Sequence, residues 1–377
     1  RSQTQKFAGS CSLDGQGAWG MVLQENDREN YTPDFKAFKS VFCFDNRLIC
    51  MGSGIQNSNS SYSTETTLFQ FGHGTQLTPI SINNQEVSQF PYSRSLNEAQ
   101  VVLTDPQNNG YIVRNGSVMV SRANQESRDN QTQAVTYGDF SSACIQHGKA
   151  PANGGYEYVV LVNSGRTGAW AFGQSMENDP IAPYSVIQKD DRAHVAYDRD
   201  TKTTGYVLFQ DNQTYQLPHI KSTSHVCIVM VTEKTDGSWR MALANPCLNM
   251  EVPTTLEHDA PALPQTMTVK LKGRRRLLNP VPGVVILNSD NLETTLSVEV
   301  NHGIPVAFDL IPDVANSIVS TEEDFNFRVY PSPTKGNVIV ETDERLIQLS
   351  VFNMEGHLVR REDGGVRVID LSPFPSG

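Results

Sequence analysis

A single carboxylate, Glu65, stands in a run of hydroxyls: Ser60-Ser61-Tyr62-Ser63-Thr64-Glu65-Thr66-Thr67-Leu68-Phe69-Gln70. No other short segment of the chain has the composition of a catalytic surface. The stretch before it, Val41 to Ile55, reads as a hairpin. In a regular strand Glu65, Thr67 and Phe69 share one face, and Thr66 and Leu68 share the other. A carboxylate on a rigid strand can orient a cationic partner or a proton donor, because a strand holds geometry better than a loop. A solvated surface Glu has the same sequence signature, so local physics leaves both readings open.

The other residues capable of chemistry are scattered. The eight histidines include no HxH, HxxxH or HExxH spacing, so no metal centre is expected from them. His73, in Phe71-Gly72-His73-Gly74, follows Glu65 closely enough to line the same surface, though a structural or solvent role is the favoured reading. The six cysteines form no CxxC, and Cys43, Cys50 and Cys227 lie in apolar runs, as buried small hydrophobes do. Cys43 and Cys50 flank the turn at Asp45-Asn46, which leaves a cross-strand bridge open. No nucleophile elbow, P-loop or dinucleotide fingerprint is present. Gly52-Ser53-Gly54 reads as a turn that needs small residues. The densest basic segment is Lys270, Lys272, Arg274, Arg275 and Arg276 around Gly273. It is either an anchor for sulfate or carboxylate groups or a solvated hairpin tip. Trp19, Trp170 and Trp239 are candidates for stacking on sugar rings or for the core.

The bulk numbers exclude several classes. At 377 residues, with 38% hydrophobic and 19% charged residues, the chain is a globular protein of two or three domains. No apolar run approaches the roughly 18 residues of a membrane span. A net charge of -11 disfavours nucleic acid and gives no global attraction for a polyanion, so local basic residues would have to hold an acidic polymer.

The elements that must position these residues are almost all strands. Runs such as Lys39–Phe44, Leu48–Met51, Val101–Thr104, Tyr111–Val113, Tyr156–Val162, Tyr206–Gln210 and Val226–Val231 recur between turn signals. Asp45-Asn46, Asn108-Asn109-Gly110, Asn115-Gly116 and Asp236-Gly237 tolerate the positive φ of hairpin turns. No helical pattern of useful length is found. The expected fold is all-β: a large antiparallel multi-sheet sandwich over residues 1–250, then a smaller β-sandwich over 266–312, then a partial β tail domain over 327–377. Residues 251–265 and 313–326 read as linkers. The chain starts at Arg1 and stops at Ser372-Pro373-Phe374-Pro375-Ser376-Gly377, from which a piece of a longer protein is expected.

Several segments, in order, resemble the chondroitin sulfate ABC lyases of polysaccharide lyase family eight. They are Phe7-Ala8-Gly9 with Ser12-Leu13-Asp14-Gly15, Lys36-Ala37-Phe38-Lys39-Ser40-Val41, Gly52-Ser53-Gly54-Ile55 and Thr64-Glu65-Thr66-Thr67-Leu68-Phe69-Gln70. Asn108-Asn109-Gly110-Tyr111, Phe140-Ser141-Ser142-Ala143, Tyr156-Glu157-Tyr158, Thr204-Gly205-Tyr206, Leu248-Asn249-Met250 and Gly303-Ile304-Pro305 continue the resemblance. It implies a supersandwich that in the family follows an N-terminal α/α toroid, here missing. It implies cleavage of chondroitin and dermatan sulfates by β-elimination at the uronic acid. The family draws a His, a Tyr and an Arg from the toroid and a Glu from the sandwich, and only the Glu maps here, onto Glu65. No cofactor is implied for certain, and assistance by a divalent cation stays open. Val329-Tyr330-Pro331-Ser332-Pro333-Thr334-Lys335-Gly336, Val351-Phe352-Asn353-Met354-Glu355-Gly356 and Asp370-Leu371-Ser372 resemble the C-terminal sorting domain of the type IX secretion system of Bacteroidetes. That likeness implies secretion machinery as a partner and a secreted, cell-surface or periplasmic location. The alternative reading is a non-catalytic carbohydrate-binding or scaffolding module.

Overall fold

The computed structural model describes residues 5–25, 34–177, 181–248, 262–313, 327–330, 336–342, 348–353, 358–365 and 367–372. Each apolar run singled out above overlaps a strand, and the turns take the expected backbone, with φ of +51° at Asp45, +67° at Asn108, +53° at Asn115 and +79° at Gly237. The chain divides into two compact units, Arg1–Asp313 and Val314–Gly377.

The first unit holds four antiparallel sheets of nine, four, seven and five strands. Three apolar cores lie between them. Phe69, Leu96, Val118, Val120, Ala143 and Ile145 of the four-stranded sheet pack on Val101, Leu103, Tyr111 and Val113 of the nine-stranded sheet. The other face of the nine-stranded sheet places Phe42, Phe44, Ile49 and Met51 against Ala196, Val207, Ile228 and Met230 of the seven-stranded sheet. That sheet in turn packs Val195, Tyr206, Leu208 and Val229 on Met267, Val269, Leu296 and Val298 of the five-stranded sheet. The layer order is therefore four, nine, seven, five. The central strands are apolar on both faces because both faces are covered; all six residues of Thr203–Leu208 are buried.

Polar ties join the two central sheets. Arg47 pairs with Asp198 at 3.3 Å and with Asp200 at 2.8 Å. The ring nitrogens of His194 meet Ser40 Oγ and Ser53 Oγ at 2.8 Å each. Burial pushes His194 down to about 3, so it is a neutral, satisfied core group.

Three expectations are corrected here. Residues 266–312 do not form a sandwich of their own. Strands Gln265–Lys272 and Glu293–Val300 share a sheet with Ile220–Thr223, and Val306–Pro312 pairs with Trp239–Ala244. An isolated set of four short strands would bury too little apolar area, and sharing the larger sheets covers them. Gly52-Ser53-Gly54 is not a turn but part of strand Arg47–Gln56, where the Tyr156 ring occupies the space a Cβ on Gly52 would need. A helix, Gly165–Ser175, exists where none was expected; it buries Ala169 against Gly110 and Gly173 against Val102. Its interior Gly168 and Gly173 lower helix propensity, so tertiary packing rather than local preference sustains it. Most of the two expected linkers, residues 251–261 and 314–326, lies outside the described residues.

The second unit has a three-stranded sheet, Phe327–Tyr330, Asn337–Thr342 and Val368–Asp370, and a hairpin of Gln348–Phe352 with Leu358–Asp363. Val338, Val340 and Ile369 are buried in it. The Pro331–Pro333 segment lies outside the described residues. Among the described residues no helix is long and apolar enough to cross a membrane.

Candidate active-site face

Glu65 lies on strand Ser63–Gly72, the edge strand of the four-stranded sheet. The regular alternation expected of this strand is broken twice by β-bulges in its pairing with Val135–Lys149. Ala143 pairs with Phe69 and Cys144 with Thr67, so Leu68 is an extra residue and both Leu68 and Phe69 turn to the core. Gln146 pairs with Glu65 and Gly148 with Thr64, so His147 is extra on the partner strand. Bulges of this kind re-aim side chains beside functional surfaces.

The carboxylate of Glu65 is exposed but anchored. Gln146 Nε2 donates to Glu65 Oε1 at 2.9 Å, and the same nitrogen is 3.1 Å from Cys144 Sγ. Burial first, then the negative charge of Glu65, pushes the Cys144 thiol up to about 11, so it stays a neutral S–H. Neither neighbour carries a positive charge. One carboxylate oxygen is pinned by Gln146, and the Cys144 thiol also hydrogen-bonds the group.

Upstream, the loop that feeds the strand is stapled. Asn59 Oδ1 accepts from the backbone N–H of Ser61 at 2.9 Å and of Tyr62 at 3.1 Å, and Asn57 Nδ2 donates to Thr64 Oγ1 at 2.7 Å. Tyr62 is held 76% exposed by this loop. Glu65 contributes to two adjoining clefts. One, of about 300 Å³, is lined by Phe35, Asn57, Tyr62 and Thr64. The other, of about 410 Å³, is lined by Trp19, Lys39, Thr66, His147, Tyr156 and Tyr158.

Within the second cleft His147 Nε2 is 2.8 Å from Thr66 Oγ1, and burial lowers the pKa of its ring while the charge of Glu65 pulls the other way. Burial raises both Tyr156 and Tyr158 far above the ordinary tyrosine range, so neither supplies a phenolate. A larger cleft, about 670 Å³, lies between Lys36, Ser53, Asn153, Lys189 and Asp191 and does not include Glu65. Its Asp190 is already held by Gln188 and by the N–H groups of Arg192 and Ala193. Chemistry therefore favours the smaller clefts. Among the described residues no three His, Cys, Asp or Glu side chains converge as a metal site.

The remaining candidates are placed elsewhere. His73 lines neither cleft at Glu65; its Nε2 meets Ser141 Oγ, which also accepts from the buried Arg122. The basic segment is consumed internally: Lys270 pairs with Glu293 at 3.2 Å, Arg274 with Asp313 at 2.8 Å, and the Arg275 guanidinium sits 3.1 Å from the Trp239 ring centroid. Of the tryptophans, Trp239 is buried under that arginine, Trp170 packs on the central core, and Trp19 lines the Glu65 cleft. All six cysteines are free, and Cys43 pairs across with Leu48 rather than Cys50. Gln146 and His147 were missed by sequence reasoning. They sit 81 and 82 residues beyond Glu65, with no local signal beyond strand composition; only the register reveals them.

Residues 1–170 match the super-sandwich domain of polysaccharide lyase family 8. Residues 328–377 match the secretion system C-terminal sorting domain. Over 313 residues the chain is 31% identical to the chondroitin sulfate ABC endolyase of Proteus vulgaris, covering 81% of this chain and 29% of that protein. Over 302 residues it is 29% identical to the chondroitin sulfate ABC exolyase of Proteus vulgaris, covering 75% of this chain and 29% of that one. The chain thus spans 29% of the length of both relatives. A Paenibacillus xanthan lyase superposes with a TM-score of 0.67 at 15% identity, over 93% of this chain and 35% of that one. That likeness is one of fold.

Proposed function

Because residues 1–170 carry the super-sandwich domain of polysaccharide lyase family 8 and residues 328–377 a secretion-sorting domain, we propose that this chain is the β portion of an exported glycosaminoglycan lyase. Its substrate class is chondroitin or dermatan sulfate. Its reaction is β-elimination at the uronic acid, and Glu65 is its contribution to the active site. The sorting domain supports delivery to the cell surface or medium by a type IX machinery.

The chemistry explains what such a site must contain. Elimination removes the C5 proton of the uronate, expels the 4-linked oxygen and leaves an unsaturated uronate. A C5 proton next to an ionised carboxylate is weakly acidic, so that carboxylate must be neutralised and the developing enolate stabilised. A base takes the proton, and an acid protonates the leaving oxygen. Neither the base nor the acid is assigned to the described residues of the Glu65 clefts. Tyr156 and Tyr158 are buried phenols, and His147 is engaged with Thr66. The base, the acid and the cation that stabilises the enolate are assigned to a helical toroid facing this surface. Glu65, on a rigid edge strand with one oxygen pinned by Gln146, is the member that holds a cationic or phenolic partner in register. That anchored carboxylate is the observation that carries the proposal.

The test is direct. The protein expressed from its whole gene is expected to generate the ultraviolet absorbance of unsaturated uronate on chondroitin sulfate, and residues 1–377 alone are expected to generate none. Product from the 377-residue chain alone would overturn the assignment of base and acid to another domain. Gln146→Met, which keeps the shape of the side chain and removes the donor, is expected to lower kcat of the whole protein. A hydrogen bond to a charged group is worth about 1.5–3 kcal/mol, so the fall should be about 10- to 100-fold. Unchanged kcat would mean that the amide does not position the carboxylate.

A further inference from the structure

The Glu65 cleft contains a cation, Lys39, that no side chain among the described residues neutralises. Lys39 lies on strand Lys36–Phe44 of the nine-stranded sheet, opposite Met21 and Gly52. Its neighbours Ser40 and Phe42 face the central core, so Lys39 and Val41 face the other way, toward the four-stranded sheet. On that same face Val101, Leu103, Tyr111 and Val113 are fully covered. Trp19, Met21, Lys39 and Val41 are only half-buried. They form a shelf beside the edge strand that carries Glu65. Trp19 is paired with Val41 and is therefore a diagonal neighbour of Lys39.

Lys39 forms no ion pair or hydrogen bond among the described residues, and Glu65 on the facing wall is held by Gln146 instead. Lys221 and Lys270 share Glu293, and Lys234 meets Asp309, whereas Lys39, like Lys149 and Lys202, has no carboxylate among the described residues; of these unpaired lysines Lys39 is the one that lines the Glu65 cleft. An ammonium that no carboxylate occupies is open to an anionic ligand. Trp19 adds an indole to the lining of the same cleft, and aromatic rings suit the apolar face of a pyranose. The cleft, about 410 Å³, falls within the roughly 300–1,000 Å³ range of ligand pockets.

We propose that Lys39 and Trp19 form a subsite for an anionic saccharide unit, with the acid group on the ammonium and the sugar ring against the indole. The proposal rests on the glycosaminoglycan reading above and deepens it: it names where in this chain a unit of the polymer is gripped. An ammonium is a point charge without the planar fork of arginine, so it accepts a sulfate or a carboxylate alike. The subsite acts in binding, while Glu65 acts in the reaction. The net charge of -11 makes this local cation necessary, since the overall field of the chain does not draw an acidic polymer in.

The experiment measures steady-state kinetics of the protein expressed from its whole gene, with Lys39→Met, Lys39→Arg and Trp19→Ala beside Glu65→Gln. Lys39→Met is expected to raise KM about tenfold with kcat within about twofold, the pattern of lost uniform binding. Lys39→Arg is expected to restore most of the affinity. The gap between wild type and Lys39→Met should shrink as ionic strength rises to about 1 M, where the Debye length is near 3 Å. Trp19→Ala should raise KM with the salt dependence intact. Sulfated and unsulfated chondroitin separate the two acids. A KM effect on both substrates assigns the carboxylate, and an effect on the sulfated one alone assigns the sulfate. Unchanged KM for Lys39→Met on both substrates, with Glu65→Gln impaired, overturns the subsite and leaves the lyase reading intact. If the wild-type protein forms no unsaturated product, the lyase reading falls. The subsite is then decided by retardation of the 377-residue chain in native gels containing chondroitin sulfate. Retardation lost in Lys39→Met upholds it, and equal migration overturns it.

Discussion

Glu65→Gln, made in the protein expressed from its whole gene, is expected to lower kcat on chondroitin sulfate by about 10²- to 10³-fold, the scale seen when one preorganised electrostatic group is removed. The substitution is nearly isosteric and deletes only the charge. The strand should not move, because its pairing with Val135–Lys149 is made by backbone, and Leu68 and Phe69 anchor it in the core. What changes is the group offered to a partner. A carboxylate accepts through both oxygens, and here one is already bonded to Gln146. The neutral amide keeps one accepting oxygen and puts an NH2 donor where the second carboxylate oxygen stood, so a cationic partner there loses both the charge and the acceptor. Residues that act as a unit are not additive, so Glu65→Gln combined with Gln146→Met should be no worse than Glu65→Gln alone. A Glu65→Gln protein with near-normal turnover and an unchanged circular dichroism spectrum would show that this carboxylate is only a surface group.

The second large effect concerns the stack that carries the site. Phe42→Ala is expected to cost about 3–5 kcal/mol in urea unfolding, the usual range for a buried Phe. Phe42 is fully buried between the two central sheets, stacked beside Phe44 with ring centroids 6.4 Å apart. Its ring fills the space above Gly205 on the seven-stranded sheet, where a Cβ would overlap it. Gly205→Ala alone should therefore destabilise by about 1–3 kcal/mol through overpacking. The two substitutions meet the same space, so the double variant should fall short of the sum by at least about 0.5 kcal/mol. Strict additivity would mean that the ring and the glycine do not touch. A loss under about 1 kcal/mol for Phe42→Ala would mean that the two sheets are not held by this core.

Much of the local structure was legible because its causes are local. The turn at Asp45-Asn46 is written in residues that tolerate positive φ, and the apolar runs announce strands by composition. The residue assigned to the site, Glu65, was also visible, through its hydroxyl-rich strand and the ordered resemblance around it. The partners of Glu65 were not. Gln146 reaches it only because two strands far apart in sequence pair in one register, and His147 enters the cleft only because a bulge inserts it there. The basic segment Lys270–Arg276 shows the same limit. As sequence it reads either as an anion anchor or as a solvated hairpin tip, and only the structure shows Glu293, Asp313 and Trp239 taking up most of its cations.

By itself, the sequence determined the strand content, the turns, the apolar residues of the cores and the one carboxylate on a hydroxyl-rich edge. These follow from backbone preference and side-chain period, which act over a few residues. The tertiary structure alone decided the four-layer order, the sharing of sheets by residues 266–312, the pinning of one Glu65 oxygen and the lack of a counter-charge at Lys39 among the described residues. These depend on which distant strands pair and in what register. A charge is neutralised or left bare by whatever long-range packing brings beside it, and local composition does not encode that.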